Sequence, residues 1–290
     1  PLDGLKCLDL GGGRRLTLGA ELRLLHESFR DEDWGLGSQR DGGSWLLRGL
    51  AHADVRGRDR WRLFVQLGTG QERGRPGGPR PLDRSDLYAN AAFIETTIRP
   101  AAGQRLQLRA GRMELSYAWG RLISFRGRPT LKRSHDGFRV RWQQRRAWTD
   151  LFLTWDVERA AGVLGSRRRD DRRLLGAYHS RSLARGQTLD LYVLATDRPD
   201  EAYFLDAASR APTAGAEERW SLGARWEGRW ERLSHDTEVT WQTGRFQAPG
   251  GPDLDIAAWA VGTRTRLHWP AARGAELGLD LAYSSGDAAS

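Results

Sequence analysis

The chain has 290 residues, 39% of them apolar and 29% charged, which suits one large domain or two ordinary ones. A lone cysteine, Cys7, excludes an internal disulfide framework and a cysteine-built zinc site. The 46 basic residues include only two lysines, Lys6 and Lys132, and the net charge of +9 points to anionic partners such as nucleic acid, lipid headgroups or acidic polymers.

No stretch approaches eighteen uncharged apolar residues, which excludes a transmembrane helix. Pro1-Leu2-Asp3 shows neither a basic nor an apolar leader, so a signal peptide is either absent or already removed. The low mean hydropathy does not by itself mean a soluble protein, because barrels that alternate apolar and polar residues escape such averages.

Alternation dominates from the start of the chain. Leu16, Leu18, Ala20, Leu22 and Leu24 alternate with Arg15, Thr17, Gly19, Glu21 and Arg23. A helix would scatter those apolar residues around its circumference, whereas a strand sets them on one face. The pattern recurs at Trp61–Leu67, Phe138–Trp142, Trp220–Trp226 and Leu277–Tyr283. The reading is all-β, with thirteen strands near 14–26, 44–57, 60–70, 86–98, 104–117, 136–143, 147–158, 173–182, 187–196, 218–229, 232–245, 256–268 and 274–284. Most are longer than the usual globular strand and suit a tilted bilayer crossing.

The connections alternate in length. Short links at Arg58-Asp59, Arg99–Gly103, Gln144–Arg146, Leu183–Gly186, Trp230 and Pro270–Arg273 separate long polar ones at 27–43, 71–85, 118–135, 159–172, 197–217 and 246–255. That order predicts a transmembrane antiparallel up-and-down β-barrel, a single domain over 1–290, with periplasmic turns and longer outer loops. Trp45, Trp61, Trp148 and Trp220 open strands while Trp155, Trp269 and Tyr283 lie near strand ends, as interfacial girdles require. The loop 71–85, rich in Gly, Pro and Arg, is the candidate to fold inward, and Arg167-Arg168-Arg169 falls in a long outer loop.

Opposite the apolar parity, the lumen-facing set includes Arg23, Arg48, Arg62, Arg109, Arg139, Arg141, Arg225 and Arg264, with Glu21, Asp54 and Glu95 among them. Arg15, Arg56, Arg60, Arg105, Arg229 and Arg266 share that parity, as do Asp190, Glu227, Glu238 and Asp280. Guanidinium binds carboxylate bidentately and does not lose its proton, so an enclosed surplus of arginine conducts anions and passes a polyanion from site to site. For any single arginine, bracing the wall against a carboxylate is the commoner role, and only the surplus carries the functional reading.

The segment Gly111-Arg112-Met113-Glu114-Leu115-Ser116-Tyr117, continued by Trp119-Gly120-Arg121-Leu122-Ile123-Ser124 and Lys132-Arg133-Ser134-His135-Asp136-Gly137, resembles the signature of the alginate export family. Leu18–Arg23, His52–Arg56, Phe64–Gly68, Ser221–Arg225 and Ser285-Gly286-Asp287 match as well, so the resemblance spans the chain. Met113, Thr130 and His135 stand where the family usually carries Gln, Asn and Phe, and Gly127-Arg128-Pro129 differs from its acidic-Gly-Pro. The resemblance implies a Gram-negative outer-membrane barrel with an arginine-rich, eighteen-stranded pore. Thirteen is odd and closed bacterial barrels carry even numbers, so against an eighteen-stranded parent about five C-terminal strands are missing here, the alternative being a natural short form with an exposed edge.

Other features carry little. Ser134-His135-Asp136 cannot assemble a triad, because neighbours in an extended segment point in alternate directions. His52 and Asp54 share a face and could pair. The six histidines lack metal-ligand spacing, and Asp31-Glu32-Asp33 and Asp253/Asp255 read as solvated outer-loop charge. The expected function is a passive pore for an anionic, uronate-bearing polysaccharide, with no catalytic residues, no metal and no cofactor. The alternative is a porin for small anionic or aromatic solutes. A soluble nucleic-acid binder would interleave aromatics and arginines on one face, and here they fall on opposite parities. The expected partners are therefore the solute, outer-membrane lipid and lipopolysaccharide, and periplasmic export machinery, not nucleic acid.

Overall fold

The computed structural model describes residues 3–31, 40–58, 60–203, 212–251, 253–269 and 275–285. Its strands are β1 (Leu8–Asp9), β2 (Arg14–Phe29), β3 (Gly42–Gly57), β4 (Trp61–Arg73), β5 (Ser85–Ile98), β6 (Arg105–Met113), β7 (His135–Gln143), β8 (Ala147–Glu158), β9 (Arg167–Ala184), β10 (Gln187–Tyr203), β11 (Thr213–Arg229), β12 (Leu233–Gln247), β13 (Asp253–Trp269) and β14 (Ala275–Ser284). Their order in the sheet is their order in the chain, the up-and-down arrangement of an antiparallel barrel. β2–β14 are the thirteen strands read from the alternation, and β1 is a two-residue addition paired to the start of β2.

The differences have local causes. β9, β10 and β11 run further than expected, so Arg167-Arg168-Arg169 opens a strand instead of lying in a loop. Cross-strand charge extends this hairpin: Arg172 reaches Glu201 at 2.7 Å and Asp200 at 3.2 Å, and Arg173 bonds Asp197. Asp253 and Asp255 likewise belong to β13, where Asp253 accepts from Gln247 Nε2 at 2.8 Å. Glu32 and Asp33 of the first acidic cluster lie outside the described residues.

The described residues form two compact units, one of Pro1–Ile98, Gln107–Phe138 and Trp155–Arg169, the other of Arg99–Leu106, Arg139–Thr154 and Asp170–Ser290. Both show the same inverted burial. In the first, Leu22, Leu24, Trp45, Leu63 and Ile94 are exposed while Arg48, Asp54, Glu72 and Glu95 are buried. In the second, Trp142, Leu151, Leu191, Trp220, Trp241 and Trp259 are exposed while Asp150, Asp190, Arg225, Asp236 and Glu238 are buried. A water-soluble sheet would reverse this. A transmembrane β-barrel has this arrangement, its apolar parity towards lipid and its charged parity inside.

Leu22 is 78% exposed at the centre of β2. Leu22→Arg is therefore expected to destabilise the protein in phospholipid bilayers by about 2–4 kcal/mol, the cost of a cation at the midplane. Equilibrium unfolding from vesicles measures this, and a neutral outcome would mean that β2 does not face hydrocarbon.

Candidate functional site

The charged parity of the first unit is built around opposed arginines. Register places Arg56 opposite both Arg15 and Arg62, and Arg23 opposite Arg48. Like charges directly across a ladder repel, so each pair needs a mediator. Asp54 mediates between Arg56 and Arg62, accepting from Arg62 Nε at 2.8 Å and from Arg56 Nη2 at 2.9 Å, while Arg15 is exposed. These charge-assisted bonds displace the expected His52–Asp54 pair, and His52 packs its ring 5.4 Å from Phe64 instead. Glu95 holds Arg109 through Nε at 2.8 Å and Nη2 at 2.6 Å, and accepts from Gln107 at 3.1 Å. The stacked rings of Phe64 and Phe93 lie beneath these groups, with the Arg109 guanidinium 3.9 Å and that of Arg62 5.2 Å from the Phe93 centroid.

Arg23 and Arg48 are mediated differently. Glu21 accepts from Arg48 Nη2 at 2.6 Å, but both guanidinia also donate to main-chain carbonyls of a distant segment. Arg23 Nη1 and Arg48 Nη1 reach Gly127 O at 2.8 and 2.9 Å, and Arg23 Nη2 reaches Arg128 O at 2.8 Å. The segment 114–134 therefore lies across the charged face of β2–β5. Gly70 makes room for it: a Cβ there would stand 2.5 Å from Leu131 Cδ2 and 2.9 Å from Thr130 Cγ2. Leu131 joins Leu50 and Tyr88 in a small buried apolar cluster.

The connection expected to fold inward, within 71–85, acts as a support for this segment. Its turn at Pro81–Asp83 offers Leu82 O to Leu131 N at 3.0 Å, and Asp83 Oδ1 to Thr130 N at 2.6 Å. Burial opposes ionisation of Arg80 beside it, but Asp83, Glu27 and Glu72 outweigh that and hold its pKa above the ordinary value.

The longest of the singled-out motifs consists of the anchors of segment 114–134. Gly111 has φ +124, and a Cβ there would lie 2.3 Å from Ala92 O, so glycine alone fits. Arg112 clasps Asp136 through bonds of 2.7 and 2.8 Å. Asn90 is turned inward by a bulge in the β4–β5 ladder, and donates to Glu114 at 2.6 Å and Gln66 at 2.7 Å. Ser134 Oγ donates to Asn90 O at 2.5 Å, and Arg133 pairs with Asp156 at 2.7 Å. His135, standing where the family has Phe, places Nδ1 3.2 Å from Asp156. Ser134, His135 and Asp136 thus turn to three different partners, and no triad forms.

Arg159 completes the anchorage. Its guanidinium donates to Ala89 O at 2.9 Å, Lys132 O at 3.0 Å and Ser134 Oγ at 2.5 Å, over the Tyr88 ring. Burial lowers its pKa to about 10, which leaves it charged at neutral pH. Arg159, Asn90 and Asp83 are site residues that sequence reasoning missed, because their partners lie tens of residues away and no local pattern marks them.

The second unit repeats the theme with more carboxylate. Arg141 is bidentate to buried Asp150, at 2.6 Å for both bonds, and sits over Trp148. Trp148 stacks on buried Tyr178, so it faces the charged side and does not contribute to the expected girdle. Arg225 is only 7% exposed, and binds Asp190 at 2.9 Å, Glu227 at 2.8 Å and Asp236. Tyr178 and Tyr192 donate to Asp190 and Glu238 at 2.8 and 2.9 Å. Arg264 contacts Asp280 at 3.2 Å, and Arg139 shares its parity with Arg141 on β7. Glu72, Asp150, Glu217 and Asp236 are buried carboxylates absent from the sequence-derived set, so charge on the strands is more evenly balanced than parity alone suggested.

No curated protein sequence matches the chain. Among solved structures, the high-pH structure of Pseudomonas putida OprB aligns over 89% of this chain and 76% of its own, at 10% identity and a TM-score of 0.47. The family model described as alginate export matches residues 14–290, and the chain belongs to the alginate export family.

Proposed function

We propose that the protein is an outer-membrane pore through which an anionic polysaccharide, an alginate-like polyuronate, leaves the cell by passive diffusion. The observation that carries this reading is the row of guanidinia on the enclosed face, Arg23, Arg48, Arg62 and Arg109, each held in place by carboxylates, carbonyls or ring faces. Fixed cations of this kind attract a chain of carboxylates, and replace one contact by the next as the chain slides. Transport needs no covalent step, so nucleophiles and general bases have no part in it. Segment 114–134 narrows the enclosed face, and that observation favours a second reading, diffusion of small anionic or aromatic solutes.

Single-channel recording of the full-length protein in planar bilayers separates the two. The polysaccharide reading expects anion selectivity and current block by micromolar polymannuronate, weakened several-fold in Arg23→Gln. Arg23 suits this test because the bonds it donates go to carbonyl oxygens, so its removal strands no carboxylate. Anion-selective current that polymannuronate leaves untouched supports the small-solute reading.

A further inference from the structure

Charge in the second unit is distributed along the strands as well as across them. At the short-turn end lie Arg105, Arg145, Arg146, Arg185 and Arg232, all exposed, and among the described residues no ion pair engages any of them. Glu231 is the one carboxylate in the described turns 99–104, 144–146, 185–186 and 230–232. At the long-loop end of the same strands, Asp197, Asp200, Glu201 and Glu217 pair with Arg172, Arg173, Arg198 and Arg219. Apart from Arg245 near the long-loop end of β12, the uncompensated cations therefore collect at one edge.

That edge is continuous. The Arg145 stem lies 3.5 Å from where a Cβ on Gly103 would be, joining two neighbouring turns. Arg146 O accepts from Ser182 N at 2.8 Å, Gly186 O from Arg229 N at 2.7 Å, and Arg232 O from His268 N at 2.8 Å. Each turn is thus bonded to the end of the next hairpin. Inward from the edge, the charged parity continues with Arg139, Arg141, Arg229 and Arg266, whereas the outer parity ends in Trp142, Leu183, Leu267 and Trp269. Guanidinia lead onto the enclosed face, while Trp and Leu side chains dominate the outer parity, where Arg181 beside Leu183 is the exception. A polymer bound for the enclosed face fits this edge better than a phospholipid headgroup does.

We propose that this short-turn edge is the capture site for the polyuronate, where the chain first meets the protein before it enters the pore. The proposal rests on the polysaccharide reading above, and it gives the pore a preferred entry side, the periplasmic one. Exposed like charges concentrated at a mouth act on association: they raise the on-rate of an opposite polyanion and lose that effect as salt rises.

The test uses the full-length protein, oriented in planar bilayers, with polymannuronate added to one side at a time. In a variant carrying R145Q, R146Q, R185Q and R232Q, the rate of block from the short-turn side is expected to fall about tenfold at low salt, with the gap closing in high salt. Block from the long-loop side is expected to match the wild type. Heat-modifiable mobility confirms that the variant folds, and the paired variant R145K/R146K, which keeps the charge, should retain wild-type capture. An unchanged rate from the short-turn side overturns the proposal while leaving the pore's function intact, as does an equal fall from both sides. A variant defect that tracks phosphatidylglycerol content instead of polymer concentration overturns it in favour of lipid binding. Wild-type channels that conduct but are never blocked overturn the polysaccharide reading itself, and the capture site with it.

Discussion

Replacing Arg225 with methionine is expected to destabilise the protein by about 3–5 kcal/mol, the range for removing one partner of a buried ionic cluster. Arg225 is the shared cation of Asp190, Glu227 and Asp236, and two of those carboxylates are nearly inaccessible. Without it they face one another across β10, β11 and β12 with their desolvation uncompensated. Equilibrium unfolding of the variant in detergent micelles measures the loss. Adding Asp190→Asn and Asp236→Asn should recover much of it, because the cost arises from stranded charge and not from the missing side chain. A single variant within 1 kcal/mol of wild type would show that water reaches these carboxylates.

Shortening segment 114–134 is expected to raise single-channel conductance several-fold. Replacing residues 118–131 by a brief Gly-Ser linker removes the carbonyls bound to Arg23 and Arg48 together with Leu131, which fills the space over Gly70. The milder Arg159→Met withdraws bonds to Ala89, Lys132 and Ser134 while keeping the segment's length, and should give noisier, intermediate conductance. Both variants retain the lipid-facing parity, so loss of insertion is not the expected outcome. Conductance equal to wild type in both would show that the segment does not limit the passage.

The strands were legible because their signal is local. A residue's parity along a tilted strand determines whether it meets lipid or the enclosed side, and thirteen segments of alternation yield thirteen strands with ends shifted by up to seven residues. The lengths of the connections set the up-and-down order, and Gly111–Gly137 carried the family. Paired charge was legible only in part: Glu21, Asp54 and Glu95 stood out on parity, and each does hold an arginine.

The partners across distance were not legible. Nothing local says that Arg23 bonds a carbonyl 104 residues away, or that Asn90 is swung inward by a bulge to hold Glu114 and Ser134. Connection 71–85 has the composition of a mobile loop, yet it is 114–134 that crosses the charged face, because Gly70 leaves the space and two opposed arginines need oxygen between them. Alternation is a property of neighbours in the chain, and the sequence by itself determined the sheet, its two faces and the family. Compensation of buried charge is a property of neighbours in space, so only the tertiary structure decided which arginines are matched on the strands and which remain unmatched at the short-turn edge.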